Sequence, residues 1–349
     1  KSGRCWLPAK SRITELDREF ERLKLLAKQK LNTGIPKHEH MTFKDFCLKK
    51  IAPMLGKPLN YPHLEIYYDT LPTVKRHLYL DHRGSLKSTV AAQAYPTWRF
   101  WEDQSTTGVI TAATQSLSRK NLYAVGQFAL RLGMKPSTPD KWTQNEIIFE
   151  RDFVSKDPSR IAIGVDTNAV GIHADWVVND DIVNDDNVSE VGRKRVRKFV
   201  YEVMKPVLNP GGQEIFIGTR WHFDDIYNDF IEKWPRSDVT INGVWADEEK
   251  RLPRFPEVFT PEYIDSLKRD MPTDAFARQY KNDILQAENR PFDKEFLVHY
   301  NPETVLWQNI DEGWVTVMAV DLISSMKERR DWFVIVIVSR NKKGEFYIR

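Results

Sequence analysis

Cysteine is nearly absent. The 349-residue chain holds two, Cys5 and Cys47, too few for a disulfide framework or a four-cysteine zinc site. A reducing, intracellular setting is therefore the default expectation. No apolar run approaches the ~20 residues that span a bilayer. The opening stretch KSGRCWLPAK has neither an apolar core nor a cleavage-site pattern, so it does not read as a secretory signal. The chain starts without Met and stops on a strand-like run, as expected of a fragment. A large excess of charge is missing too: a net charge of +3 permits an anionic partner without demanding one. Repeats and low-complexity tracts are lacking, and the eight histidines show no metal-ligand spacing.

What is present is a globular composition, 41% hydrophobic and 29% charged, and enough length for roughly two domains of about 150 residues. Residues 14–31 predict an amphipathic helix: Leu16, Phe20, Leu23 and Ala27 recur at helical spacing, Thr14 can cap it, and Gly34 with Pro36 can stop it. A second helix is expected over 43–54, making 1–60 a helical N-terminal segment. Strands at 77–80, 108–113, 161–165, 176–178 and 214–218 then alternate with helices at 88–100, 116–132 and 190–204. That rhythm predicts an α/β core over 61–233, a mostly parallel sheet covered on both faces, with ligands at the carboxyl ends of its strands. From 234 to 311 the chain is proline-rich and reads as a connecting subdomain and linker. Strands at 314–320, 332–338 and 345–348, the last two joined by a turn at Gly344, begin a second sheet domain over 312–349.

The stretch YLDHRGSLKST, residues 79–89, carries the chemistry. Its end matches the phosphate-loop pattern G-x-x-x-x-G-K-[ST], but Asp81 and Leu86 stand where the glycines belong, and only Gly84 can relax the turn. Such a loop aims backbone N–H groups at phosphates where a helix begins. Lys87 would reach the β and γ phosphates and Ser88 would ligate Mg²⁺. A plain surface turn is the alternative. Further on, ADWVVNDDIVND runs an apolar strand into Asp180 and Asp181. An acid at that position can hold magnesium through its waters, which assigns Asp180 to metal, and its neighbour can orient or deprotonate the attacking water, which assigns Asp181 to catalysis. An acidic turn is the competing reading, and Asn179 weakens the strand. A third strand end, EIFIGTRWHFDDIY, places Thr219 where it could sense the γ-phosphate, or else is a turn with Asp224 or Asp225 capping the next helix.

Taken together, HRGSLKST, TAATQSLSRKNL, GIHADWVVNDDIVND, GTRWHFDDIYNDF and FARQYKNDI resemble, in order and spacing, the large terminase subunit of tailed bacteriophages. The resemblance covers most of the chain from about residue 60. It implies a P-loop NTPase: an ATP-driven motor that moves double-stranded viral DNA into a procapsid. Arg83, Gly84, Ser85, Lys87, Ser88 and Thr89 would bind ATP, with Arg83 touching phosphate, and Gly218 and Thr219 would couple hydrolysis to DNA movement. It also implies a homo-oligomeric, pentameric ring, a portal protein and a small terminase subunit as partners, and a place in the host cytoplasm, docked transiently on the procapsid. Two departures matter. Asp181 is one methylene shorter than the usual Glu, and no arginine lies between Arg160 and Asp180, so a trans-acting arginine is not assigned beyond the candidates Arg119 and Arg160.

Terminases of this kind continue into an RNase H-like nuclease whose carboxylates hold two Mg²⁺ or Mn²⁺ ions about 4 Å apart. VTVMAVDLISS puts Asp321 at the end of a first strand, the expected first metal ligand. Asp331, at the head of the next strand, reads as a strand-start or turn residue. On the residues alone, Asp321 could equally be a solvated acid. DNA contact is expected of the helix GRKRVRKFVYEVMK through Arg193, Lys194, Arg197 and Lys198, against the alternative of a solvated charged face. Two other functions stay open: a different P-loop nucleic-acid translocase such as a helicase, or a non-catalytic portal-binding adaptor.

Overall fold

The computed structural model describes residues 15–29, 39–138, 141–151, 155–167, 171–284, 314–321 and 334–348. The expected cap Thr14, the stop at Gly34 and Pro36, Cys5 and Asp331 lie outside them. The chain divides into two compact units, Lys1–Asn289 and Arg290–Arg349.

Seven strands form the sheet of the first unit: β1 (Arg76–Leu80), β2 (Gly108–Ala112), β3 (Glu146–Ile147), β4 (Arg160–Gly164), β5 (Ala174–Asp180), β6 (Leu208–Gly218) and β7 (Val239–Ile241). Their order across the sheet is β3-β4-β2-β5-β6-β1-β7. Every pairing is parallel except that of β3 with β4. Alternate residues point to opposite faces of a strand, and two cores follow from that. Tyr79, Ile110, Trp176, Val178, Ile215 and Ile217 belong to one. Leu78, Leu80, Val109, Val177 and Phe216 belong to the other.

The helical segments Phe43–Phe46, Cys47–Ile51, Ser88–Ala94, Tyr95–Glu102 and Gln115–Arg131 supply the first core's cover. Those at Glu190–Lys198, Phe199–Met204 and Ile226–Lys233 supply the second. Helix starts are set by side chains that accept from the free N–H groups of the first turn: Thr114 from Leu117, Ser189 from Gly192 and Asp225 from Asn228. Asn179, expected to weaken β5, is buried and satisfied, its Oδ1 accepting from Thr111 Oγ1 at 2.8 Å and its Nδ2 donating to the Ile215 carbonyl at 3.1 Å.

The main sheet crosses the boundary expected at 233, because β7 pairs with β1. After it, β8 (Trp245–Asp247), β9 (Leu252–Pro253) and the helices Pro261–Asp270, Thr273–Phe276 and Ala277–Lys281 gather around Val244, Phe255, Phe259, Ile264, Phe276 and Tyr280. This lobe sits on the phosphate loop, with Leu86 and Tyr61 packed against its core.

In the second unit, β10 (Val315–Asp321), β11 (Val334–Arg340) and β12 (Phe346–Ile348) form an antiparallel sheet in chain order. Gly344, at φ +86°, lies in the turn between the last two.

Trp176 is fully buried in β5, with the Arg160 guanidinium 4.8 Å from its ring centroid. Trp176→Ala should lower unfolding free energy by about 3–5 kcal/mol, read from denaturant unfolding of the parent and variant chains.

Candidate active site

Strand register builds the site. Leu80 pairs with Gly218, Ile217 with Asp180, and Asp180 with Ala112. The carboxyl ends of β1, β6, β5 and β2 are therefore level, and the residues that follow them share one rim. Backbone bonds continue past the strands: the Asp81 N–H donates to the Gly218 carbonyl (3.2 Å), Asp181 to Ile217 (2.9 Å) and Ala113 to Asp181 (3.3 Å).

The loop after β1 handles its missing glycines in two ways. Asp81 turns away from the ligand side: it is buried and accepts a hydrogen bond from the Tyr67 hydroxyl. Leu86 takes the glycine's backbone conformation itself, at φ +68°, beside Gly84 at +83°. A left-handed non-glycine residue costs roughly 1–2 kcal/mol, and packing holds it there: the Leu86 side chain lies against both the N-terminal core and the 244–284 lobe. Phe259 closes over Gly84, where a Cβ would come within 2.9 Å of its ring. The Gly84 and Leu86 N–H groups have no hydrogen-bond partner among the described residues, while the Ser85 N–H between them donates to the His82 carbonyl at 3.3 Å; backbone N–H groups left free in a turn of this kind can line an anion-binding concavity. The Ser85 Oγ is buried without a partner. Thr89 is half-buried in the first turn of the helix. Arg83 is exposed and fixed to the lobe, its N–H donating to the Gln279 carbonyl (2.9 Å) and its Nη1 to Gln279 Oε1 (3.1 Å).

The Ser88 hydroxyl joins this loop to β5 by donating to Asp180 Oδ1 at 2.8 Å. Asn121 Nδ2 donates to the other oxygen, Oδ2, at 2.6 Å. Burial, and then the Asp181 carboxylate, push Asp180 up to about 7, while the bonds from Ser88 and Asn121 and the Lys87 charge pull the other way. Lys87 is itself buried. Asp181 turns the chain at φ +45°, and its Oδ1 is buried without a partner. A hydroxyl, a carboxylate and a second, orphaned carboxylate oxygen beside a phosphate concavity suit Mg²⁺, which keeps several waters and takes few protein ligands. Among the described residues there is no cluster of three or more His, Cys, Asp or Glu that could hold a metal.

At the end of β6, Gly218 passes under Tyr227, whose hydroxyl would lie 2.3 Å from an added Cβ. Thr219 follows it, buried. The next residues are a turn capped by Asp225, which also accepts from the Trp221 and His222 N–H groups (3.2 and 3.3 Å). The Arg220 N–H donates to Asn282 Oδ1 of the lobe at 3.0 Å.

Several expected site residues make contacts within the fold. Arg160 is fully buried at the opposite end of the sheet, donating to the carbonyls of Pro96, Thr106 and Ser159 (3.0, 2.8 and 2.5 Å), so it has no route into a neighbour's site and is withdrawn as a candidate. Arg119 lies on the helix Gln115–Arg131 and donates to Asn145 Oδ1 at 2.8 Å. Of the expected DNA contacts, Arg193 pairs with Asp224 (3.2 Å), and Arg197 pairs with Asp224 (2.8 Å) and Asp229 (2.9 Å), clamping two helices together. Lys194 pairs with Glu190 along its own helix, and Lys198 is exposed. Asp321 ends β10 as expected, and its side chain lies outside the described set. Sequence reasoning missed Asn121, Tyr67, His63 and Gln279. For Asn121 there was a signal: with Ser118, Leu122 and Val125 it completes a buried stripe at helical spacing, and a polar residue inside such a stripe has a partner to find.

Fold and site together define an α/β P-loop NTPase fold. The sequence matches no family profile and no curated protein. Among the solved structures it is similar to are large terminases of bacteriophages. The Thermus phage P74-26 large terminase ATPase domain is 15% identical at TM-score 0.42, over 67% of this chain and 97% of that one. The HK97 bacteriophage large terminase is 11% identical at TM-score 0.43, over 95% and 67%. A large terminase from a thermophilic bacteriophage, in complex with ADP, is 12% identical at TM-score 0.36, over 60% of this chain and 48% of that one, about half its length.

Because the folded-state pKa of Asp180 is raised from 3.8 to about 7, its ionised form costs stability, fully so above pH 7. Asp180→Asn should therefore be more stable than the parent at pH 8 without metal. The gap should narrow as pH falls from 7 toward 4, by at most about 1.4 kcal/mol per unit. Denaturant unfolding of both proteins across that range checks it.

Proposed function

We propose that the chain is an ATP-driven motor of the large-terminase kind, which moves double-stranded viral DNA and is coupled to a nuclease to which its second unit contributes. The observation that carries the reading is the Ser88 Oγ to Asp180 Oδ1 bond of 2.8 Å, which fastens an anion-binding loop to the acidic end of β5. In this reading the free N–H groups of the loop and the Lys87 ammonium bind the β and γ phosphates, as fixed donors that need no reorganisation. Ser88 and Asp180 would hold Mg²⁺, which neutralises charge on the phosphate oxygens when bound. Asp181 takes the proton of a water whose oxygen bonds to the γ-phosphorus as the bond to the bridging oxygen breaks.

Gly218 and Thr219 lie next to both the loop and the acids, the place from which hydrolysis could be passed to the Arg220–Asn282 contact. Asp321, at the end of the first strand of the second unit, would be the first carboxylate of a two-metal nuclease. Double-stranded DNA, a portal protein, a small terminase subunit and further copies of this chain in a ring are the partners this reading requires. The expected setting is the host cytoplasm. Among the described residues no helix is long and apolar enough to cross a membrane.

Lys87→Ala should abolish Mg·ATP binding and hydrolysis, with the fold intact by circular dichroism. Asp181→Asn should keep binding and lose about 10²–10⁴-fold in turnover, the span of a general base. Phosphate release and equilibrium titration with a fluorescent ATP analogue measure both. Unchanged hydrolysis in Lys87→Ala would end the motor reading.

A further inference from the structure

His63 belongs to no motif and precedes the phosphate loop by more than a helix, yet it reaches into the loop's centre. Its Nε2 lies 3.0 Å from the Ser85 carbonyl oxygen. A carbonyl only accepts, so the ring must carry its proton on Nε2 and donate it. Burial lowers the basicity of the ring, which keeps it neutral with a single N–H to give, and Nδ1 is buried without a partner. The residue is buried, at 8% exposure, and its ring packs beside a pair of aromatic rings, its centroid 4.4 Å from Phe255 and 5.8 Å from Tyr61, which lie 4.4 Å from each other. This donor cannot easily swing elsewhere.

The bond it makes falls on the peptide that matters most. In a trans peptide the C=O and the N–H point in opposite directions. Fixing the Ser85 carbonyl on His63 therefore fixes the direction of the Leu86 N–H, which has no partner among the described residues. A glycine before Lys87 would adopt the required left-handed backbone at no steric cost. Leu86 adopts it at φ +68° against its preference, so the peptide plane ahead of it needs an outside hold. Tyr67 performs a parallel service at the other substituted glycine by occupying Asp81.

We propose that His63 is a positioning residue for nucleotide binding: its Nε2–H holds the Ser85–Leu86 peptide in the phosphate-receiving orientation and so replaces the conformational freedom of the missing glycine. The inference rests on the nucleotide reading of this site. It makes a particular demand: the need for His63 exists only while residue 86 is not glycine.

The test uses the whole chain and a fluorescent ATP analogue with Mg²⁺, alongside steady-state hydrolysis. His63→Phe keeps a buried ring and removes the donor. It should weaken nucleotide affinity and raise KM about tenfold or more, with kcat changed less than threefold. His63→Gln places an amide N–H near the position of Nε2 and should recover affinity to within about threefold of the parent. Leu86→Gly added to His63→Phe should recover it as well, although it restores no contact of the ring. Three results would overturn the proposal: His63→Phe binding like the parent, neither His63→Gln nor Leu86→Gly recovering what His63→Phe loses, or a loss confined to kcat. If His63→Phe fails to fold, the comparison of His63→Gln with His63→Ala/Leu86→Gly decides by the same criteria. A parent chain that binds no nucleotide, or a Lys87→Ala chain that binds it normally, would overturn the nucleotide reading and this inference with it; normal behaviour of those two controls isolates His63.

Discussion

Level pairing of β1, β6 and β5 is the constraint on which the rest of the site depends. Parallel hydrogen bonding sets Leu80 beside Gly218 and Ile217 beside Asp180. A shift of one residue would reverse the face of every side chain on the shifted strand. It would carry Asp180 out of reach of Ser88 and break up both cores at once. Here the strands' burial and the site's geometry are the same fact: Val177, Phe216 and Leu78 hold the register on one face while Trp176, Val178 and Ile217 hold it on the other. The acids inherit their place from that packing.

The cost of the arrangement is concentrated at the rim. Two non-glycine residues there, Leu86 and Asp181, take left-handed backbone, and Asp180 is kept from water with a second carboxylate beside it. Strain and buried charge of this kind persist only where the surroundings over-determine them. The surroundings come from far along the chain: Tyr67 on Asp81, His63 on Ser85, Phe259 over Gly84, Gln279 on Arg83 and Asn121 on Asp180. A cation held by Ser88 and Asp180 would offset that buried negative charge, which would couple ligand binding to the stability of the loop.

The lobe of residues 244–284 touches both ends of this device. It grips the loop through Phe259 and Gln279, and it grips the turn after β6 through Asn282 and through Arg278, which stacks over Trp221 at 5.8 Å. Under the proposed function, a change in the loop would therefore have a physical route to the residues after Gly218 that does not run through the sheet.

Much of the sheet was legible in the sequence. Its buried parallel strands are short apolar runs closed by turn residues, and each is followed by a helical period. The edge strands β3 and β7 were not, since two or three residues carry no period. Lys87, Ser88, Asp180 and Asp181 could be picked out as candidates because such chemistry is tied to residue type, and the fold brings them together. The shape of the loop was not legible, because the φ of Leu86 is decided by contacts with residues distant in sequence. Arg160 misled for a related reason: an arginine at a strand start reads as exposed, and only the folded chain brings the Trp176 and Phe100 rings and a set of carbonyls around it. The ion pairs of Arg193 and Arg197 were not legible, because a basic helix face says nothing about the acids of the helix packed beside it. The most direct measurement of the central claim, that a loop lacking both signature glycines is a working phosphate cradle, is a crystal structure of the chain with Mg²⁺ and a non-hydrolysable ATP analogue. The account predicts β and γ phosphates on the N–H groups of Gly84 and Leu86, Leu86 still at positive φ, and the metal beside Ser88 and Asp180. A nucleotide bound elsewhere, or a loop in which Leu86 has left the left-handed region, would contradict it.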